Sequence, residues 1–250
     1  VYSKIKSKEA SEKIVYNTLT VPVRERFQLV LADGTKVFLN SGSEMRYPER
    51  FGKARREVFL KGEAWFEVAK DSAREFWVHA GAMDVKVLGT SFNVKAYERL
   101  ETVATTLVEG SVEVACAGKS FQIVPGEQFV YDKNNRVMDV RMVDTESYVS
   151  WKDGYYKFRQ TTLEEIMETL SVWYGLNVFY VNESAKQVEF TGKVRRYEDA
   201  RMLLDKFEQT RDVVFDIKGN NVFITIKQKK PFAREWNSFL VKARGMVWQS

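Results

Sequence analysis

The sequence predicts a mainly β protein in two parts, an all-β domain of sandwich or roll type followed by a small α+β domain. Three observations carry that prediction. From about residue 27 apolar side chains fall at period two with turn signals between the runs; near Trp151 the spacing becomes helical; and residues 213–226 read as a closing hairpin around Gly219-Asn220-Asn221.

In the first part, FQLVL (27–31), Asp33-Gly34 and KVFLN (36–40) form a hairpin whose buried face takes Leu29, Leu31, Val37 and Leu39. REVFL then runs through Lys61-Gly62 into AWFEV, and FWVHA, DVKVL, FNVKA, TTLVE, VEVA, FQIV, QFVY and VMDVRM follow, with Gly110 and Pro125-Gly126 among the turns. Short strands in this number, without a helical period, argue for a sandwich or roll. The domain is expected over residues 25–146.

In the second part, Tyr155 to Phe158 reads as a strand and Thr162 with Glu165 as a capping box. Leu163, Ile166, Met167, Leu170 and Tyr174 recur at helical spacing until Gly175 supplies the stop. LNVFYV (176–181) and VEFTG (188–192) are strands, and YEDARMLLDKF (197–207) is a second helix with Ala200, Leu203, Leu204 and Phe207 on its apolar face. VVFDI (213–217) and VFITI (222–226) close the domain, which is expected over 150–228 as βαβ-βαβ-β. Residues 1–24 read as a polar linker. Residues 229–250 read as a basic tail, amphipathic if helical and otherwise disordered.

Composition narrows the function. The net charge of +5 dissolves when divided along the chain: Lys+Arg against Asp+Glu is 22 to 21 over residues 1–150, 11 to 12 over 151–226, and 6 to 1 over 227–250. A neutral folded body lacks the basic surplus that releases phosphate counterions, so no nucleic-acid partner is expected. No run approaches the roughly 18 apolar residues of a spanning helix; VWYGLNVFYV (172–181) is broken by Gly175 and Asn177. The start at Val1, without a leader, suggests part of a longer protein or a processed form. The single cysteine, Cys116, excludes an intramolecular disulfide.

VKVLGTSFNVKAY (85–97) raises the question of catalysis, because Gly89 interrupts a strand and presents Thr90 and Ser91. A nucleophile needs a base within reach. The only histidine, His79, lies on another strand, FWVHA, and reads as a partly exposed surface side chain; Cys116 reads as a small core residue. The break therefore reads as a corner in the β framework, with Gly89 in a conformation that a Cβ would penalise. Glu63 and Glu67 flank Trp65, but four residues along a strand separates them by about 13 Å, too far for a glycosidase pair. They read as solvated surface acids, and the basic cluster RFGKARR (50–56) as a solvated loop. One histidine and one cysteine cannot build a structural zinc site, and no GxGxxG or P-loop pattern occurs, so no metal, cofactor or small-molecule substrate is expected. The surviving alternative function is a carbohydrate-binding or glycan-processing β protein that stacks sugars on Trp65 and Trp77.

The wording of the sequence goes further. LADGTKVFLNSGSEMRYPERF (31–51), VFLKGEAWFEVAKD (58–71), VKVLGTSFNVKAY (85–97), TLVEGSVEV (106–114) and PGEQFVY (125–131) closely resemble the periplasmic domain of FecR-type anti-sigma factors. The family pattern falls on Asp33, Gly34, Gly62, Glu63, Gly89, Thr90, Phe92, Asn93, Val94, Gly110, Pro125 and Gly126. SWKDGYYKFRQTTLEEIMETLSVWYGLNVFY (150–180), FTGKVRR (190–196) and VVFDIKGNNVFITI resemble the small domain that follows it, which is similar to the secretin and TonB short N-terminal (STN) module.

The resemblance implies a non-enzymatic role. Such proteins hold an extracytoplasmic-function sigma factor through a cytoplasmic segment, cross the inner membrane once, and expose a periplasmic portion to the signalling domain of a TonB-dependent outer-membrane receptor. This chain would be the periplasmic portion, with the sigma-binding segment and membrane helix outside it. The partner contact is expected at a strand edge of the small domain, on Val222, Phe223, Ile224, Thr225 and Ile226 or on Val178, Phe179 and Tyr180.

Overall fold

In a computed structural model of the chain, the described residues are 14–196, 199–210 and 213–227. The expected tail at 229–250, the first part of the expected linker and the start of the second predicted helix lie outside them. Thirteen strands build the first domain: β1 (Tyr16–Thr20), β2 (Phe27–Val30), β3 (Lys36–Leu39), β4 (Glu44–Pro48), β5 (Arg56–Glu67), β6 (Phe76–Ala80), β7 (Met83–Val87), β8 (Ser91–Ala96), β9 (Thr102–Glu109), β10 (Val112–Cys116), β11 (Lys119–Ile123), β12 (Glu127–Asp132) and β13 (Val137–Met142). The sequence expectation of a linker to residue 24 is corrected here. Tyr16 to Thr20 pairs with Pro48 to Glu44, so the chain has entered the sheet by residue 16.

The strands form two sheets joined by one long strand. The first runs β1-β4-β5-β6-β7-β10-β11 and the second β2-β3-β5-β8-β9-β12-β13. The first half of β5, Arg56 to Lys61, lies between β4 and β6; the second half, Gly62 to Glu67, lies between β3 and β8. The crossing needs Gly62. Its φ is +110°, and a Cβ there would stand 2.4 Å from Ser43 Oγ and 2.7 Å from Ser43 Cα. Between the sheets lies a continuous core including Met45, Val58, Val78 and Val85 from the first and Val37, Phe66, Phe92, Leu107 and Phe129 from the second.

Alternation distinguishes the sheets. In the first, β6, β7 and β10 alternate strictly between buried and half-buried positions, as one wet face requires. In the second, Gly62 to Phe66 of β5 and Phe92 to Val94 of β8 are buried consecutively, so both faces are covered. The second domain does the covering.

That domain begins with α1 (Thr145–Val149) and a 3₁₀ turn, Ser150–Asp153. It continues through β14 (Tyr155–Thr162), α2 (Leu163–Tyr174), β15 (Asn177–Tyr180), β16 (Glu189–Arg195), α3 (Ala200–Thr210), β17 (Val213–Lys218) and β18 (Asn221–Ile226). The predicted cap is present: Thr162 Oγ1 accepts from Glu165 N at 3.3 Å, and Gly175 ends α2 in the left-handed conformation. β14 pairs antiparallel with β16, while β15, β18 and β17 form a separate sheet in that order. Both helices bury their apolar faces against both sheets, with Ile166, Leu170, Leu203 and Phe207 beside Phe158, Phe190, Phe215 and Ile224. Trp65 of β5 belongs to this second core.

Candidate functional site

The corner at Leu88 to Thr90 carries the chain from β7 in the first sheet to β8 in the second. Thr90 Oγ1 donates to Ser111 O at 3.0 Å, and Val68 N donates to Thr90 O at 3.0 Å, so the threonine holds the crossing together. The reason for Gly89 differs from the sequence expectation. Its φ is outside the left-handed region; what excludes a side chain is Lys70, whose Cα would lie 2.8 Å from a Cβ. Phe92 and Val94 point into the core. Asp33-Gly34, Gly110 and Pro125-Gly126 occupy turns between successive strands.

No nucleophile meets a base here. His79 is on the outer face of the first sheet, stacked on Phe59, with Nδ1 2.7 Å from Asp84 Oδ1 and Nε2 3.3 Å from Glu57 Oε1. Cys116 is buried, and burial pushes its thiol pKa up, away from thiolate chemistry. Among the described residues, no group of three or more His, Cys, Asp or Glu side chains is placed to hold a metal.

Three surface expectations are corrected. Trp65 is 4% exposed, under the small domain, so it offers no stacking platform and the paired-tryptophan sugar site fails. Glu63 is 7% exposed and takes hydrogen bonds from Asn40 Nδ2 at 2.6 Å and Asn93 Nδ2 at 2.9 Å. Arg56, in the cluster read as a solvated loop, is fully buried: Nη1 reaches Asp33 Oδ2 and Ala69 O, both at 2.8 Å, and Nη2 reaches Arg74 O at 2.8 Å. A buried guanidinium needs such partners, and they are distant in sequence.

The two candidate partner edges separate cleanly. β18 is the central strand of its sheet, parallel to β15 on one side and antiparallel to β17 on the other. Val222 to Ile226 therefore has no free edge, and the expectation of strand addition there is corrected. β15 is an edge. Asn177 N and Val181 N donate inward to Asn220 O (2.8 Å) and Ile224 O (2.9 Å), so by alternation the N–H and C=O groups of Val178 and Tyr180 point outward. Phe179 is 47% exposed and stacks on Phe223 at 5.1 Å; Val181 beside it is 63% exposed. On the opposite edge, Glu208 of α3 takes the Phe215 N–H of β17 at 2.5 Å. Among the described residues, one edge is thus partly capped and the other is open and apolar.

The seam between the domains includes the C-terminal turn of α2, just before β15. Arg196 is fully buried, its guanidinium 3.5 Å from the centre of the Trp173 ring, with Nη1 donating to Trp151 O at 2.9 Å and Nη2 to Asn40 Oδ1. Ser41 Oγ donates to the Val172 and Trp173 carbonyls at 3.3 and 3.4 Å, and Tyr97 Oη donates to Ser41 O at 2.8 Å. Burial, reinforced by the Glu63 charge, holds the Tyr97 phenol well above its usual pKa. Beside this contact, a cleft of about 310 Å³ is lined by Glu63, Asn93, Gln128, Trp151, Tyr156 and Glu168, among others. Lys95–Glu168 and Arg141–Glu165 pairs, each 3.8 Å, cross the seam.

Comparison with known proteins accounts for both domains. Residues 17–113 match the family described as FecR protein, and residues 155–224 match the family described as FecR, C-terminal. Two crystal structures from Parabacteroides distasonis, each assigned as an anti-sigma factor, are 27% identical to this chain, with TM-scores of 0.77 and 0.76. They align over 85% and 86% of this chain and 100% of their own. No curated protein matches. With both family domains present in order on a fold shared with assigned anti-sigma factors, the chain belongs to the FecR family of anti-sigma factors.

Proposed function

We propose that this chain is the periplasmic sensing portion of a single-pass inner-membrane anti-sigma factor. It receives its signal by protein contact from the signalling domain of a TonB-dependent outer-membrane receptor and so controls an extracytoplasmic-function sigma factor held by a cytoplasmic segment. The small domain is the receiver, in the manner of an STN module. The observation that carries this reading is the β15 edge: main-chain groups at Val178 and Tyr180 with no partner among the described residues, beside exposed Phe179 and Val181. A partner strand laid there gains main-chain hydrogen bonds, and the exposed side chains supply selectivity. Among the described residues no helix is long and apolar enough to cross a membrane.

The test is a titration against the signalling domain of the receptor encoded beside this protein. Val178→Pro removes an outward N–H while leaving the inward bonds of Asn177 and Val181 in place, and Phe179→Asp places a charge on the apolar edge. Each should weaken binding by about tenfold or more with circular dichroism unchanged. Retained affinity in both folded variants would reject the β15 contact, and no binding by the unaltered chain would reject the receptor as partner.

A further inference from the structure

Five residues close a hydrogen-bonded ring across the seam, by their side chains and the Trp151 carbonyl. Arg196 donates to Asn40; Asn40 donates to one oxygen of Glu63 at 2.6 Å; Asn93 donates to the other at 2.9 Å; Trp151 Nε1 donates to Asn93 Oδ1 at 3.2 Å; and Trp151 O accepts from Arg196 at 2.9 Å. Asn40, Glu63 and Asn93 belong to the β domain, Trp151 and Arg196 to the small domain. The ring carries one positive and one negative charge, separated by the Asn40 amide, in a place where desolvating either is expensive. A well-packed apolar contact would hold two domains as firmly. What the ring adds is a single relative placement, since a shift of either domain breaks both seam-crossing bonds, Arg196 to Asn40 and Trp151 to Asn93, at once.

The ring is also tied to α2. Trp173 lies under the Arg196 guanidinium, and Ser41 of the β domain bonds the Val172 and Trp173 carbonyls, which a helix end leaves without internal partners. Only Gly175 and Leu176 separate that turn from β15. The neighbouring cleft, lined by Glu63, Asn93 and Trp151 of the ring, lies on the same seam, giving water a path to the charges when the domains part.

We propose that the ring is a latch with a closed state, seen here, and a released state, and that a strand-adding partner at β15 favours release by drawing on the last turn of α2. The coupling rests on the function proposed above; the latch does not. A ligand shifts such an equilibrium only by its differential affinity for the two states, so a chain with a weakened latch binds the partner more tightly.

Two readouts separate these claims, each made on Glu63→Gln and Arg196→Met. The pair Ser41→Ala with Tyr97→Phe loosens α2 without touching ring groups and serves if a ring variant loses protection throughout the chain. In the free chain, amide exchange over residues 171–176 should accelerate by about tenfold or more. The receptor signalling domain should bind these variants about threefold more tightly than the unaltered chain. Unchanged exchange in every folded variant overturns the latch. Faster exchange with equal or weaker binding overturns the coupling and leaves the proposed function standing; no binding by the unaltered chain overturns the proposed function and the coupling together, with exchange still deciding the latch.

Discussion

The two halves of β5 place a glutamate on each outer face of the sandwich, and the two glutamates have opposite fates. Glu57, in the first sheet, stays near the surface, paired with Arg55 at 2.8 Å and His79 at 3.3 Å, in a stripe where Arg46 stacks between Tyr16 and Phe59. Glu63, six residues on, is roofed by the small domain and closed into a ring of amides. Strand period and residue type are shared; only the second domain differs. An outward acid on a strand is therefore a surface residue or a joint according to what docks upon it, and in this molecule the joint lies two residues of chain from the β15 edge, through the last turn of α2.

The comparison can be broken at its pivot. Gly62→Val places a side chain on Ser43 at a φ of +110°, where the strand must cross between sheets. It should cost about 4 kcal/mol or more in chemical denaturation, enough to unfold a typical domain. Next in size, Glu63→Gln removes the buried negative charge that the Asn40 and Asn93 amides enclose and should cost about 3 kcal/mol. Glu57→Gln, by the same measurement, should cost about 0.5 kcal/mol or less. Similar costs at the two positions would erase the distinction. Gly89→Val forces the corner away from the Lys70 backbone and should cost about 2 kcal/mol, while Ser91→Ala at the same corner should stay within about 0.5 kcal/mol.

The smallest expected effect is electrostatic. Burial in the cleft raises the Glu168 carboxyl pKa despite Lys95 nearby. The folded chain then binds this proton more readily than the unfolded chain, so the contribution of Glu168 to stability falls as pH rises through and above the ordinary carboxylate range. Glu168→Gln should raise the melting temperature slightly at pH 7, and the gain should vanish below about pH 4, where the unaltered carboxyl is protonated as well. A gain independent of pH would place its origin in packing.

Local features were legible in the sequence because their causes are local. The Thr162 cap, the Gly175 stop and the hairpin around Gly219 each depend on a few neighbouring residues, whereas the corner at Gly89 was visible but its cause, Lys70, was not. What was not legible depends on distant partners. Arg56 meets Asp33 across 23 positions and so reads as part of a solvated loop until the fold supplies its acceptors; Arg196 meets Asn40 across 156, and nothing in the sequence points to that contact. The 213–226 pair was visible as a hairpin, yet nothing in it announced that β15 would add in parallel and turn β18 into a central strand. Alternation placed Glu63 and Glu67 on one face of their strand without revealing its cover. All five ring residues nonetheless lie within the stretches that carry the family resemblance, so the motif marks the joint even where its purpose could not be read.

The most direct test is an amide-exchange footprint of the chain with the receptor signalling domain bound. Val178 and Tyr180 present outward N–H groups and should exchange fast in the free chain. The account predicts that both become protected on binding, that residues 222–226 change little because their edges are already paired, and that exchange over 171–176 increases. Protection confined to the outer face of the first sheet, around Phe59, Trp77 and His79, would contradict it.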